Sequence, residues 1–208
     1  MGLWSLTRWR KPRAERRYPV PLTTHQLWMV SLSAPVNRDR NASRTTLYPF
    51  TRIDDDSARR WLADQWEITS RDKLVGRLGG LARTGYRARA HQILGVTPLA
   101  WGTALYVDIA RRGFGCGMIN EAEAWTALKS IVPVVAKTYA SWHEYADHYL
   151  LGRKVWRDGL RGVVSDADLP APQDVADAHL RSLLDPANRA SPWNLAPWDA
   201  IYNPDHAR

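Results

Sequence analysis

Three stretches between Thr97 and Trp156 each open on a helix-start signal and then carry apolar side chains at three- and four-residue spacing. That pattern restricts this part of the chain to packed α-helices. Thr97-Pro98 puts proline at the first helical position, ahead of Trp101, Leu105 and Ile109, and Gly113 is the expected stop. Asn120 with Glu123 and Ser141 with Glu144 have the form of capping boxes, in which two residues three apart satisfy each other's free backbone N–H groups. The first box opens a run through Ala124, Trp125, Leu128, Ile131, Val132 and Val135, with Pro133 predicting a kink. The second aligns Trp142, Tyr145, Tyr149, Gly152 and Trp156 along one side. Such a stripe reads as core, with a small-molecule aromatic pocket as the alternative.

Helical signals extend upstream. Thr23 or Thr24 can cap a helix bearing Leu27, Trp28, Val30 and Leu32. Asn37 to Ser43 is polar and loop-like, and Leu47-Tyr48-Pro49-Phe50 reads as extended. Asp54-Asp55-Asp56 precedes a helix with Trp61, Leu62 and Trp66. Three adjacent acids suggest metal, but carboxylates at a helix start also complement its free N–H groups, and capping is the preferred reading. Thr69 with Asp72 predicts a further helix through Leu74, Val75, Leu78 and Leu81, in which Gly79-Gly80 would permit close helix contact. Tyr86 to Leu94 reads as another short helix.

At 208 residues and 45% hydrophobic, the chain can bury one core without a second domain. The expected class is all-α: a compact single-domain bundle of about seven or eight helices with an irregular N-terminal arm and a C-terminal strap. Residues 1–21 form the arm, 22–159 the helical core, and 160–208 an acidic, proline-rich segment packing on that core. In that last segment a helix is expected from about Asp174 to Leu184, and Ser191 to Trp198 is expected to run extended with its tryptophans clamped across the bundle.

The single Cys116 excludes an internal disulfide, and no run approaches the roughly 18 apolar residues of a membrane span. No signal-peptide core follows Met1, so a cytoplasmic location is expected. The net charge of +8 is uneven: residues 1–17 contribute +5 and residues 165–208 contribute −4. A basic balance favours polyanions as a class, and Trp4 and Trp9 among arginines leave membrane-surface contact through the arm as a weaker option.

His143-Glu144-Tyr145-Ala146-Asp147-His148 resembles a zinc-protease helix but fails its spacing, because His148 falls one residue late, about 100° further round. No metal and no cofactor is expected. Cys116, in the turn Gly113-Phe114-Gly115-Cys116-Gly117, has no sequence-local base and reads as a passive turn residue. Asp108 lies at helical spacing from Arg111 and Arg112 and reads as a structural ion pair.

Ala100-Trp101, the Gly113-to-Gly117 turn with Glu123-Ala124-Trp125, and Ser141-Trp142 through Gly152-Arg153, together with Trp66-Glu67-Ile68, resemble a bacterial family of unknown function, family 1266. The resemblance covers about residues 22–158, with the Pro-Trp tail as an extension. It implies a compact α-helical bacterial domain and no assigned chemistry. The family pattern often has an acid directly after the Ala-Trp step and an arginine three residues later; this chain has Gly102 and Leu105 there.

Two functions are expected from these readings. The preferred one is a cytoplasmic, non-enzymatic protein-binding chain of adaptor or immunity type, with an acidic partner and tryptophan anchors. Its candidate contact residues are Trp101, Arg111, Arg112, Trp142, Tyr149 and Arg153. The alternative is an enzyme acting on a phosphate-bearing substrate such as a nucleotide or nucleic acid. Arg111, Arg112 and Arg153 would then hold phosphate and Asp108 or Glu144 would serve as acid or base, provided they converge on one concave pocket.

Overall fold

The computed structural model describes residues 22–36, 47, 55–83, 95, 98–160 and 171–202. The expected arm, the extended Tyr48-Pro49-Phe50 and the helix over Tyr86 to Leu94 lie outside the described residues, as does Asp54. Among the described residues the fold is all-α. Its helices are α1 (Thr24–Ser31), α2 (Asp55–Trp66), α3 (Arg71–Arg83), α4 (Leu99–Gly115), α5 (Glu121–Thr138), α6 (Trp142–Leu160), α7 (Gln173–Leu184) and α8 (Pro192–Leu195), with 3₁₀ turns at Ala34–Val36 and Trp198–Tyr202. No described helix is long and apolar enough to cross a membrane.

Helix α4 is the centre, packing against α2, α3, α5 and α6. Its sequence explains why: from Leu99 to Ile109 nearly every side chain is apolar, so it is buried all round rather than on one stripe. Its N-cap is Pro98, and the helix passes through Gly113 to Gly115, two residues beyond the expected stop. The turn that ends it needs a left-handed residue, and Gly117 supplies this with φ 74°. There the Met118 N–H reaches the Gly113 carbonyl at 2.9 Å and the Gly117 N–H reaches Phe114 at 3.0 Å, closing a Schellman-type end. Gly113 has a different use: a Cβ there would collide with Leu74 of α3.

The caps follow the sequence with one shift. Thr23 and Gln26 form a full capping box on α1, and Asn120 with Glu123 form one on α5. At α6 the Glu144 N–H donates to Ser141 Oγ at 3.1 Å, while the Glu144 carboxylate accepts from the Ala140 N–H at 2.7 Å rather than from Ser141. At α3 the expected Thr69–Asp72 box is not formed. Ser70 caps instead, accepting from the Lys73 N–H at 3.3 Å, because the chain leaves α2 with Glu67 at φ 55° and begins α3 one residue later.

Among the described residues the expected close contact at Gly79-Gly80 is not seen: none of them lies within 4 Å of a Cβ built on Gly80, and only the Arg83 head does so at Gly79. Close approach falls at Gly113 and at Gly152, where a Cβ would lie 2.5 Å from Trp101 Cβ. The Pro-Trp tail is not an extended strap. Ser191-Pro192 starts the short helix α8, with Ser191 Oγ accepting from the Trp193 N–H, and Trp198 opens a 3₁₀ turn. Its tryptophans do clamp inward: Trp193 stacks on Trp142 at 5.0 Å with 7° between planes, and Trp198 meets Trp142 edge-on at 4.8 Å and Trp28 at 5.2 Å.

Candidate functional site

The candidate residues all lie on α4 and α6, which pack against each other. Arg111 is 2% exposed. Its Nε donates to the Leu47 carbonyl at 3.0 Å and its Nη1 to Ser33 Oγ at 2.6 Å. Burial pulls its pKa down to about 10, neighbouring Asp108 acts against that, and Arg112 adds to it. Asp108, also buried, accepts from Arg112 Nε at 2.8 Å, one helical turn on. The Arg112 guanidinium then lies 4.0 Å from the centroid of Trp61 on α2, a cation–π contact that fixes its plane.

Arg153, on α6, turns the other way. Its Nη1 donates to Gln173 Oε1 at 3.0 Å and its Nη2 to the Ala171 carbonyl, so it holds the start of α7. Gln173 completes the clasp by donating to the Leu150 carbonyl at 3.3 Å. Tyr149 donates to the Pro35 carbonyl at 3.3 Å, and its ring lies 5.2 Å from Trp101. Burial pushes the Tyr149 pKa well up; Arg153 opposes the rise and Asp108 adds to it, which places both charges within electrostatic reach of the hydroxyl. Asp108, Arg111, Tyr149 and Arg153 are all buried, and each is directed to a different partner.

The two candidate tryptophans are core. Trp142 is buried, with its indole N–H on the Ala196 carbonyl at 2.9 Å. Trp101 is buried between Tyr149 and Trp156, and its indole N–H has no hydrogen-bond partner among the described residues. Glu144 lies apart at the α6 start in its capping role. Cys116 is buried, its thiol 3.6 Å from the Gly113 carbonyl. His143 is exposed, whereas the His148 ring packs edge-on to Tyr139 at 5.1 Å. Among the described residues no three His, Cys, Asp or Glu side chains gather as a metal site would require.

Sequence spacing could pair Asp108 with Arg112, since four residues make one turn. It could not find Ser33 or the Leu47 carbonyl, which reach Arg111 across 78 and 64 residues of chain. The local hint was an arginine following a nearly continuous apolar run, which must find acceptors inside.

The geometry defines a class: an all-α protein built round one buried helix, with its charged core residues tied into the framework. The chain belongs to the family described as Protein of unknown function (DUF1266), whose model matches residues 87–198, more than half of the chain. The match takes in the Pro-Trp tail and begins beyond Trp66-Glu67-Ile68. No curated protein and no solved structure matches the chain.

Proposed function

We propose that the chain is a non-enzymatic protein-binding component, of adaptor or immunity type, working in a bacterial cytoplasm. The observation that carries this reading is the employment of the candidate catalytic groups. Asp108 is tied to Arg112 and Glu144 to the α6 cap, while Arg111 and Arg153 donate to Ser33, Leu47, Gln173 and Ala171. A general acid or base must reach a substrate proton, and a phosphate clamp must present its guanidinium to a ligand. Buried Trp101 and Trp142 do not serve as surface anchors in this reading; contact falls to the exposed faces of the outer helices.

The test is affinity capture of the full tagged chain from native lysate, with protein and nucleic acid both quantified in the eluate. One protein retained at about equal stoichiometry, without nucleotide, supports the proposal. Retention of a nucleotide or nucleic acid with no protein would sink it and favour the phosphate-substrate alternative.

A further inference from the structure

We infer that the exposed face of α6 binds the same face of a second copy of this chain, the two helices antiparallel about a two-fold axis between Leu150 and Leu151; the inference goes beyond the partner reading, because it needs no other protein. His143, Asp147, Leu151 and Lys154 are exposed, and Leu150 and Asp158 are half-buried. At about 100° per residue these six positions fall within about 50° of one line along the helix, so they share one face. Leu151, left 39% exposed, lies at its middle beside Leu150. Glu144, occupied in the cap, and Arg157 lie further round.

The order of these residues selects the occupant. From His143 to Asp158 the steps along the chain are 4, 3, 1, 3 and 4 residues, the same from either end. The chemistry is matched across the midpoint as well: His143 answers Asp158, Asp147 answers Lys154, and Leu150 answers Leu151. In an antiparallel pair of such helices each residue lies level with its counterpart in the other copy. Asp147 then meets Lys154 twice and His143 meets Asp158 twice. Leu151 meets Leu151 on one side of the axis and Leu150 meets Leu150 on the other, as a two-fold interface requires. A parallel pair would set every charge level with its own like, which costs free energy. Lys154 is already bridged to Asp158 at 2.6 Å within the chain, so an arriving Asp147 finds an ammonium group in place and less side-chain freedom is lost. One helix per copy is a small contact, so the association is weak and depends on concentration.

The experiment is sedimentation of the purified full chain over a wide concentration series. The expected result is a reversible equilibrium between monomer and dimer. Leu151→Asp should raise the dissociation constant about tenfold or more while the monomer keeps its melting temperature, because the side chain is solvent-exposed there. Lys154→Asp should weaken the dimer about tenfold, and adding Asp147→Lys to it should recover most of the loss. Asp147 and Lys154 stand two turns apart within one chain, so that recovery reports a contact between copies. A short bismaleimide should join two Leu151→Cys chains and leave Val134→Cys chains, altered at an exposed position of α5, unjoined; the native Cys116 is buried. A chain that stays monomeric throughout overturns the inference, as does a dimer indifferent to Leu151→Asp or joined through position 134. Failure of the exchanged charges to restore association overturns the antiparallel alignment and the inference with it.

Discussion

Arg111 ties α4 to the segment after α1 through Ser33 and the Leu47 carbonyl, and its truncation removes both bonds and opens a cavity at once. Arg111→Ala should cost about 3 kcal/mol in urea denaturation, with Arg111→Met losing less because it keeps the volume of the stem. The buried tyrosines set the alkaline limit. Burial raises Tyr145 and Tyr149 above the ordinary 10. Below that value both states are protonated and their contribution is whole; above it the unfolded chain gives up protons first, and stability falls as pH rises. Arg111 has the opposite sign, since its folded pKa, lowered by burial to about 10, lies below the usual arginine range and the unfolded chain binds more protons above it. Two tyrosines outweigh one arginine, so the urea midpoint should drop from about pH 9 to about pH 11, and Tyr149→Phe should flatten the drop. A wild-type profile already flat over that interval would show that tyrosine burial does not govern it. At this scale the caps were largely legible, because a cap is decided by residues three apart. Thr69 misled because Glu67 adopts a left-handed backbone that only the tertiary turn between α2 and α3 requires.

Helices α4, α5 and α6 could be read from periodicity alone, but their spacing could not. Trp101 on α4 and Gly152 on α6 fix it, since a Cβ at 152 would press on Trp101 Cβ, which has no rotamer by which to retreat. Gly152→Ala should therefore cost about 2 kcal/mol, through forced separation of the two helices. Gly76→Ala, where no described residue lies within 4 Å of the added Cβ, should add about 1 kcal/mol from helix propensity alone. Equal effects of the two substitutions in parallel thermal melts would remove the steric argument. A glycine in the sequence carries no sign of which it is: both stand inside helical patterns, and only the neighbour across the interface tells them apart. The same limit applied to the tail. Ser191-Pro192 matches a helix start as well as it matches a break, and the prolines favoured the wrong one until Trp193 found Trp142.

The molecule as a whole is closed by one aromatic cluster, in which Trp28, Trp142, Tyr145, Trp193 and Trp198 meet with ring centroids between 4.8 and 6.3 Å apart. Two indole N–H groups bind it to the backbone, Trp193 to the Ser31 carbonyl at 3.0 Å and Trp142 to Ala196. Trp193→Ala should cost about 3 to 5 kcal/mol and should release the quenching of tryptophan emission that stacked rings impose, followed by fluorescence in urea. A loss below about 1 kcal/mol would mean that the tail only rests on the bundle. The all-α class was legible because so many segments carried helical signals. The inward turn of the tryptophans in this cluster was only partly so, since contacts across such separations leave no mark on local pattern.

That cluster joins α1 to residues more than 160 positions later, as the 162-residue separation between Ser31 and Trp193 shows. During synthesis Trp28 and Trp142 therefore emerge well before Trp193 and Trp198, and the aromatic groove between α1 and α6 stays open to chaperones and proteases until translation reaches α8. A message cut short before Ser191 would yield chains that keep much of their helix yet display that groove, and cellular quality control would meet them as unfinished protein.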